Sequence, residues 1–224
     1  MRRVGDPNVT DVSAIEPVLR GLPPEEQKSA GILITLLLQL SELRNEFAAA
    51  ASLKLHTQSL RNGSAITDPL EAAKTSHLID LWEAMAHRDA ALCIYNISEA
   101  LKAIRGAGRD VPSLLCDHGA LREAAKSIIR QFPGSERIRH SIGHRAEIIA
   151  NLRQFRSHAV GGTQFYLPQV DGERFTATYR GERVEMLLND LTVQQLSAII
   201  HLVYRAFPAL TEKLPKIPLR QITA

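Results

Sequence analysis

Gly31-Ile32-Leu33-Ile34-Thr35-Leu36-Leu37-Leu38-Gln39-Leu40 is the segment that most strongly determines the fold. Its isoleucines and leucines lie all around the axis of the expected helix and do not form one stripe. A helix that is apolar on every side must be covered on most of its surface. The segment is also far shorter than the ~20 residues that a membrane-spanning helix needs. We therefore expect a central core helix or a contact between copies of the chain.

Residues 1–60 are expected to form the N-terminal helices around this segment. A short helix over Val12–Leu22 ends at the Pro23-Pro24 pair, and these prolines suit the first turn of the helix that follows. That second helix contains the apolar segment and is expected to reach Leu55. Arg61–Ser64 then predicts a turn.

Residues 68–158 are expected to form the helical core. Asp68-Pro69 begins a long helix with two apolar stripes that are out of phase across His87-Arg88-Asp89. We expect a kink or a change of packing partner there, with these three residues on a solvated turn of the helix. Trp82 and Tyr95 are expected to be packing residues. The early stripe consists of Leu78, Leu81, Trp82 and Met85, and the late stripe of Ile94, Ile97, Leu101 and Ile104.

Two further helices complete this core. The fourth helix is expected to end near Phe132, where Pro133-Gly134 breaks the chain. Ser135 is a suitable N-cap for a fifth helix that runs from Glu136 to about His158.

Residues 163–188 change character and predict a small β-meander. Short β-branched or aromatic segments are separated by the turn signals Asp171-Gly172 and Arg180-Gly181. The expected strands are Phe165–Val170, Arg174–Tyr179 and Arg183–Leu188, and their aromatic residues are expected to form a small core.

A terminal helix over residues 192–213 follows the meander. Apolar residues recur in it at helical spacing: Leu196, Ile199, Ile200, Val203, Phe207 and Leu210. We therefore expect a mainly α protein that forms a single domain over residues 1–224.

The charge of the chain is concentrated in one segment. The whole chain carries a formal net charge of +3, whereas residues 122–156 hold eight basic and three acidic residues, a local charge of +5. Such a segment favours an anionic partner, although a solvated basic helix face explains it equally well.

Cysteine usage and the N-terminus predict a cytoplasmic protein with no membrane association. Cys93 and Cys116 form neither a disulfide framework nor a CxxC metal motif, which favours a reducing compartment. The basic residues Arg2 and Arg3 are not followed by the apolar region of a secretory signal. The chain also lacks the GxGxxG, GxxxxGK[ST], GxSxG and HExxH motifs, which disfavours dehydrogenases, P-loop enzymes, serine hydrolases and zinc proteases.

The hexamer Arg139-His140-Ser141-Ile142-Gly143-His144 carries the clearest chemistry in the chain. A guanidinium steadies the anionic oxygens of a phosphodiester, and an imidazole that titrates near neutrality moves protons. On an ideal helix Arg137, His140, Ser141 and His144 share one face, whereas Arg139 is rotated away from His144. Arg139 and His144 would meet only near an irregular helix start or across two copies of the chain.

This hexamer resembles the signature of the HEPN superfamily (higher eukaryotes and prokaryotes nucleotide-binding). In that signature an Arg, usually followed by a polar residue, precedes a His by four to six intervening positions. Arg139 to His144 matches the short form with His140 as the polar residue, where Asn or Asp is common. Arg137 to His144 fits the longest form, so spacing leaves open which arginine plays the part.

The resemblance implies a HEPN-like antiparallel helical bundle over residues 68–158 that pairs with a second copy at the motif. Many such proteins are metal-independent endoribonucleases, including toxins with an antitoxin partner and phage-defence components. It implies that His144 acts as general base or acid, that Arg139 stabilises the negative charge of the phosphorane and that His140 orients the substrate or shares the proton transfer. The residues that would hold RNA are Arg130, Arg137, Ser141, Arg145 and Arg153.

Three alternatives stay open from the residues alone. His140 and His144 are four positions apart and could share a metal, but no Asp, Glu or Cys nearby completes a site, so neither a metal nor a cofactor is expected. Both could be ordinary surface histidines on a basic helix. The protein could also be a noncatalytic module that binds nucleotide or nucleic acid.

Overall fold

The computed structural model describes residues 14–63, 66–143, 152–161 and 169–217. These residues form a mainly α fold with a small antiparallel sheet of order β1-β2-β3 ahead of the C-terminal helices, which confirms the expected fold class. The helices are α1 (Glu16–Arg20), α2 (Pro24–Gly63), α3 (Pro69–Ala107), α4 (His118–Gln131), α5 (Ser135–Gly143), α6 (Leu152–His158), α7 (Asp190–Arg205) and α8 (Pro208–Thr211). The strands are β1 (Gln169–Asp171), β2 (Arg174–Tyr179) and β3 (Glu182–Leu187).

The chain divides into two compact units. The described residues of the first unit lie within Met1–Arg44, Asn96–Gln131 and Gln194–Ala224, and those of the second lie within Asn45–Tyr95 and Phe132–Val193. Helices α2 and α3 each contribute to both units. The expectation of one domain over residues 1–224 stays a prediction.

The terminal helix supplies the core of the first unit, as its periodicity predicted. All six residues of the expected stripe, from Leu196 to Leu210, are buried. The Tyr204 hydroxyl donates to the carbonyl of Leu37 at 3.0 Å and so ties α7 to α2. The expected helix over residues 192–213 is interrupted, however, because Pro208 disfavours the α conformation at Phe207, which has φ −123° and ψ 77°.

Helix α2 differs from its prediction in two respects. It has an open face, because Ile32 is 52 % exposed whereas Leu33 and Leu37 are buried. It also continues beyond Leu55 through the expected turn to Gly63. Arg61 lies in this added length and donates to Asp80 of α3 at 2.7 Å, which stabilises the last turn.

The late apolar stripe of α3 is buried, as predicted, whereas the early stripe is exposed and its predicted packing role is wrong. Ile94, Ile97, Leu101 and Ile104 are fully buried, whereas Leu78, Leu81, Trp82 and Met85 are exposed. His87, expected on a solvated turn, is also fully buried, although its neighbours Arg88 and Asp89 are exposed. The helix is unbroken through these residues. Its core-facing side up to Ala90 is lined by Ile79, Glu83, Ala86, His87 and Ala90.

The sheet of the second unit carries a tight turn that the sequence predicted. Tyr179 of β2 pairs with Glu182 of β3, so Arg180-Gly181 is a two-residue loop. Both loop residues have positive φ, 49° at Arg180 and 76° at Gly181, as a type I′ hairpin requires. Phe175 belongs to the small core, as expected, whereas Phe165 and Tyr166 lie outside the described residues.

Across the described ranges, no helix combines the length and the apolar character that a membrane span requires.

Candidate functional site

Helix α5 places the start of the motif against the sheet. Gly134 adopts φ +79° after Pro133 and turns the chain, and its carbonyl accepts the first helical bond from the Ile138 amide at 2.9 Å. Ile138 is fully buried, and α5 packs on β2 and β3. The meander thus supports the motif helix.

Arg139 and His140 are joined by a hydrogen bond. Nη1 of Arg139 lies 3.2 Å from Nδ1 of His140. Because a guanidinium only donates, Nδ1 of His140 must accept, and its proton is then on Nε2. Nε2 lies 3.9 Å from Oε1 of Glu136, one turn earlier. The guanidinium of Arg139 also lies over the ring of Tyr95, 4.8 Å from the centroid, a second contact that positions the arginine.

Tyr179, the last residue of β2, contacts two histidine rings and an arginine. The ring of His140 stacks on it at 5.6 Å with an interplanar angle of 13°. The ring of His158, from the end of α6, lies 5.0 Å away at 54°. The Arg180 guanidinium lies 5.3 Å from the same centroid. We call these five residues the Tyr179 cluster: Arg139, His140, His158, Tyr179 and Arg180.

His158 is held neutral by its surroundings. Its Nδ1 accepts a hydrogen bond from the backbone amide of Arg180 at 3.1 Å, which leaves the ring proton on Nε2. Partial burial lowers the pKa of His158 below its ordinary value of 6.5, and the nearby charge of Arg180 lowers it further. The uncharged ring therefore presents an N–H donor near neutral pH.

The side chains of Arg137 and Ser141 both make contacts within the protein. Arg137, the competing motif arginine, forms an exposed ion pair with Glu182 at the start of β3. Ser141 is buried, and its hydroxyl donates to the carbonyl of Ile138 at 2.8 Å. The predicted contact of Ser141 with RNA would require this side chain to leave its buried position.

Arg130 and Arg153, two further residues predicted to bind RNA, lie on α4 and α6, respectively. Arg130 belongs to the first unit, where it donates to the Ser127 hydroxyl at 3.0 Å. Arg153 is exposed on α6. His144, the expected general base or acid, and Arg145 lie outside the described residues. Their assigned roles stay predictions.

Sequence reasoning missed three members of the cluster. His158 was expected only as a helix end, Arg180 only as a turn residue and Tyr179 only as part of a small core. The one local signal was an aromatic residue followed directly by Arg-Gly at a predicted hairpin, which places a cation beside a ring.

A second group of polar side chains is buried in the same unit. His87 donates from Nδ1 to the carbonyl of Glu83 at 2.8 Å and stacks on Phe175 at 6.0 Å. Thr57 donates to the carboxylate of Glu83 at 3.3 Å. The buried amine of Lys54 lies 3.8 Å from Glu173. Burial is the main cause that lowers the pKa of His87.

No set of three or more His, Cys, Asp or Glu side chains in the described residues has the geometry to hold a metal ion.

Comparison of the chain with protein-family models, with curated proteins and with solved structures found no match.

Proposed function

We propose that the Tyr179 cluster binds single-stranded RNA and that the chain cleaves this RNA without a metal ion. The observation that carries the proposal is that His140 and His158 contact one tyrosine ring beside the guanidinium groups of Arg139 and Arg180. Guanidinium groups pair with phosphate oxygens, neutral imidazoles donate from Nε2, and aromatic rings offer a surface on which unpaired bases stack.

Cleavage would follow the chemistry that the HEPN resemblance implies. The ribose 2′-oxygen attacks the adjacent phosphorus while His144 removes its proton. Arg139 stabilises the negative charge that develops on the phosphoryl oxygens. The P–O5′ bond then breaks, and His144, which now carries that proton, returns it to the leaving oxygen. The products are a 2′,3′-cyclic phosphate and a 5′-hydroxyl end.

A second candidate function is RNA binding without cleavage. One observation favours it: Nδ1 of His140 accepts from Arg139, and Nδ1 of His158 accepts from the Arg180 amide. Both Nε2 atoms then carry protons, so neither ring offers a lone pair to a 2′-hydroxyl in this arrangement. Such rings bind phosphate as donors, and catalysis would need His144 or a rearrangement to supply the base.

The experiment is incubation of purified protein with labelled single-stranded RNA in EDTA. The test variants are His144→Ala and Arg139→Ala. The matched controls are His77→Ala and Arg109→Ala, which replace exposed residues outside the cluster. Products with 2′,3′-cyclic phosphate ends that disappear in both test variants and persist in both controls would support the nuclease.

Binding of the same RNA, measured by fluorescence anisotropy, separates the two candidates. Absence of cleavage together with binding that weakens in Arg139→Ala, and not in Arg109→Ala, would establish the noncatalytic binder. Absence of both cleavage and binding would overturn the proposal. If the chain acts as a toxin, its expression should arrest growth, and His144→Ala should relieve the arrest. The antitoxin partner that the resemblance implies stays a prediction.

A further inference from the structure

Helix α3 presents a stripe of large apolar side chains to solvent. Leu78, Leu81, Trp82 and Met85 are 49, 47, 39 and 46 % exposed, respectively. Their spacing of three, four and seven residues places them on one face of the helix. Contiguous apolar surface on a folded chain marks an interaction site, whereas single exposed leucines do not.

The order of residues along this stripe is symmetric about its centre. Leu81 and Trp82 flank the midpoint, and Leu78 and Met85 lie at equal distances on either side of it. One turn further out, Lys74 and Asp89 are again equidistant from the midpoint and carry opposite charges. A two-fold axis through the midpoint would therefore set each residue of one copy opposite its counterpart in the other.

We propose that α3 packs antiparallel against α3 of a second copy of this chain through the stripe Lys74, Leu78, Leu81, Trp82, Met85 and Asp89. In this pairing Leu78 meets Met85 of the second copy, and Leu81 meets Trp82. Lys74 pairs with Asp89 of the second copy, and the symmetry repeats the pair at the other end. Such a two-fold contact uses one self-complementary patch twice.

Charge complementarity favours an antiparallel second copy of α3 at this stripe. A parallel pairing in register would place Lys74 beside Lys74 and Asp89 beside Asp89, whereas the antiparallel pairing brings opposite charges together twice. Lys74 is exposed and already lies 2.8 Å from Glu71 on its own helix, so the new contact would extend an existing acidic and basic network. Trp82 at the centre supplies the aromatic anchor that interfaces favour.

The inference does not rest on the proposed function. Tyr95, which holds Arg139, is about 20 Å along the helix axis from the midpoint of the stripe. The two motif helices would thus lie toward opposite ends of the α3 pair. Loss of the α3 contact would leave the Tyr179 cluster intact, so the failure of either proposal is distinguishable from failure of the other.

Sedimentation equilibrium of the full chain tests the pairing. We expect a dimer at micromolar concentration and a shift of Trp82 fluorescence to longer wavelength on dilution, because Trp82 is the one tryptophan of the chain. Leu81→Glu should weaken association by about a hundredfold or more. The control Ile129→Glu, at a position that is 70 % exposed in the first unit, should leave association unchanged.

Charge exchange gives a sharper test. Lys74→Glu and Asp89→Lys should each weaken the dimer by about tenfold, because each places like charges opposite each other twice. The double variant should restore the original affinity. Arg88→Glu, a control beside Asp89 whose counterpart is the uncharged Thr75, should change it little.

Three outcomes would overturn the proposal: a monomer up to about 100 µM, where a specific interface of this kind is expected to be saturated, a dimer unaffected by Leu81→Glu, or a double variant no stronger than the single ones. Circular dichroism establishes that each variant is folded.

Discussion

At the scale of single residues, Tyr179 is the group on which the proposed RNA site depends. Its ring contacts His140, His158 and the guanidinium of Arg180. We predict that Tyr179→Ala lowers RNA affinity by about fivefold, since aromatic contacts of this kind contribute roughly 1 kcal/mol. Tyr179→Phe keeps the ring and should retain most of the affinity. Fluorescence anisotropy with labelled RNA measures both, and equal losses in the two variants would contradict a role for the ring.

His87 makes a separate prediction about stability and pH. Burial lowers its native pKa below the ordinary value of 6.5, so between these two values the unfolded chain binds more protons than the native one. The free energy of unfolding should therefore be at its full value above pH 6.5 and fall below it, by up to about 1.4 kcal/mol per pH unit within that window.

Urea unfolding of the unaltered chain and of His87→Gln between pH 5 and pH 8 measures this dependence. The variant should lose the part of the slope that His87 contributes. His158 shifts in the same direction, so His158→Gln serves as the comparison. A slope that is unchanged in His87→Gln would refute the assignment.

At the scale of elements, the hairpin between β2 and β3 fixes the position of Arg180. Gly181 has φ 76°, which an L-residue adopts at a cost of about 1–2 kcal/mol. We predict that Gly181→Ala lowers the free energy of unfolding by that amount and weakens RNA binding as well. Gly31→Ala is the contrasting control, because a Cβ there meets no atom within 4 Å and alanine favours a helix by about 1 kcal/mol over glycine. Thermal unfolding of both variants should give shifts of opposite sign.

Hydrophobic periodicity predicted β2 and α7 well, because the apolar face of each is covered by the protein itself. Strand β2 has the predicted bounds Arg174–Tyr179, and the stripe of α7 is buried as expected. On the early part of α3 the apolar side is exposed and the buried side carries Glu83 and His87. Spacing identifies a face of a helix, but it does not state whether the protein or another molecule covers that face. Glu83 is buried there beside the Thr57 hydroxyl, which donates to its carboxylate, whereas Nε2 of His87 has no hydrogen-bond partner among the described residues.

At the scale of the whole molecule, only part of the basic charge is available to a polyanion. Arg130 and Arg137 are paired with Glu123 and Glu182, respectively. We therefore expect RNA binding to neutralise about three phosphates, one each at Arg139, Arg153 and Arg180, which lowers affinity by about 20-fold between 50 and 200 mM salt. Titration of labelled RNA at several salt concentrations gives this slope. A slope that corresponds to the full set of basic residues in 122–156 would show that these ion pairs open on binding.

The candidate site was predictable only where it is local. Arg139 and His140 are adjacent in the sequence and were predicted as site residues. Tyr179 and His158 join them through the packing of α5 on the sheet, a long-range contact that no spacing rule specifies. Arg139 and Arg137 make different contacts, Tyr95 for one and Glu182 for the other, as the predicted faces suggest. Arg139 also bonds to His140, however, which the ideal helix placed on the face of Arg137.

Because segments of the two units alternate along the sequence, the first unit is completed only after the second has been translated. The first unit takes its last segment from Gln194 onward, after every segment of the second unit. Leu33 and Leu37 are therefore translated long before α7, whose Tyr204 bonds to Leu37. Until α7 emerges, the nascent chain carries an apolar face without its cover, the condition under which chaperones engage and truncated products aggregate. Translation that stops before residue 190 should thus yield insoluble chains, however complete the Tyr179 cluster is by then.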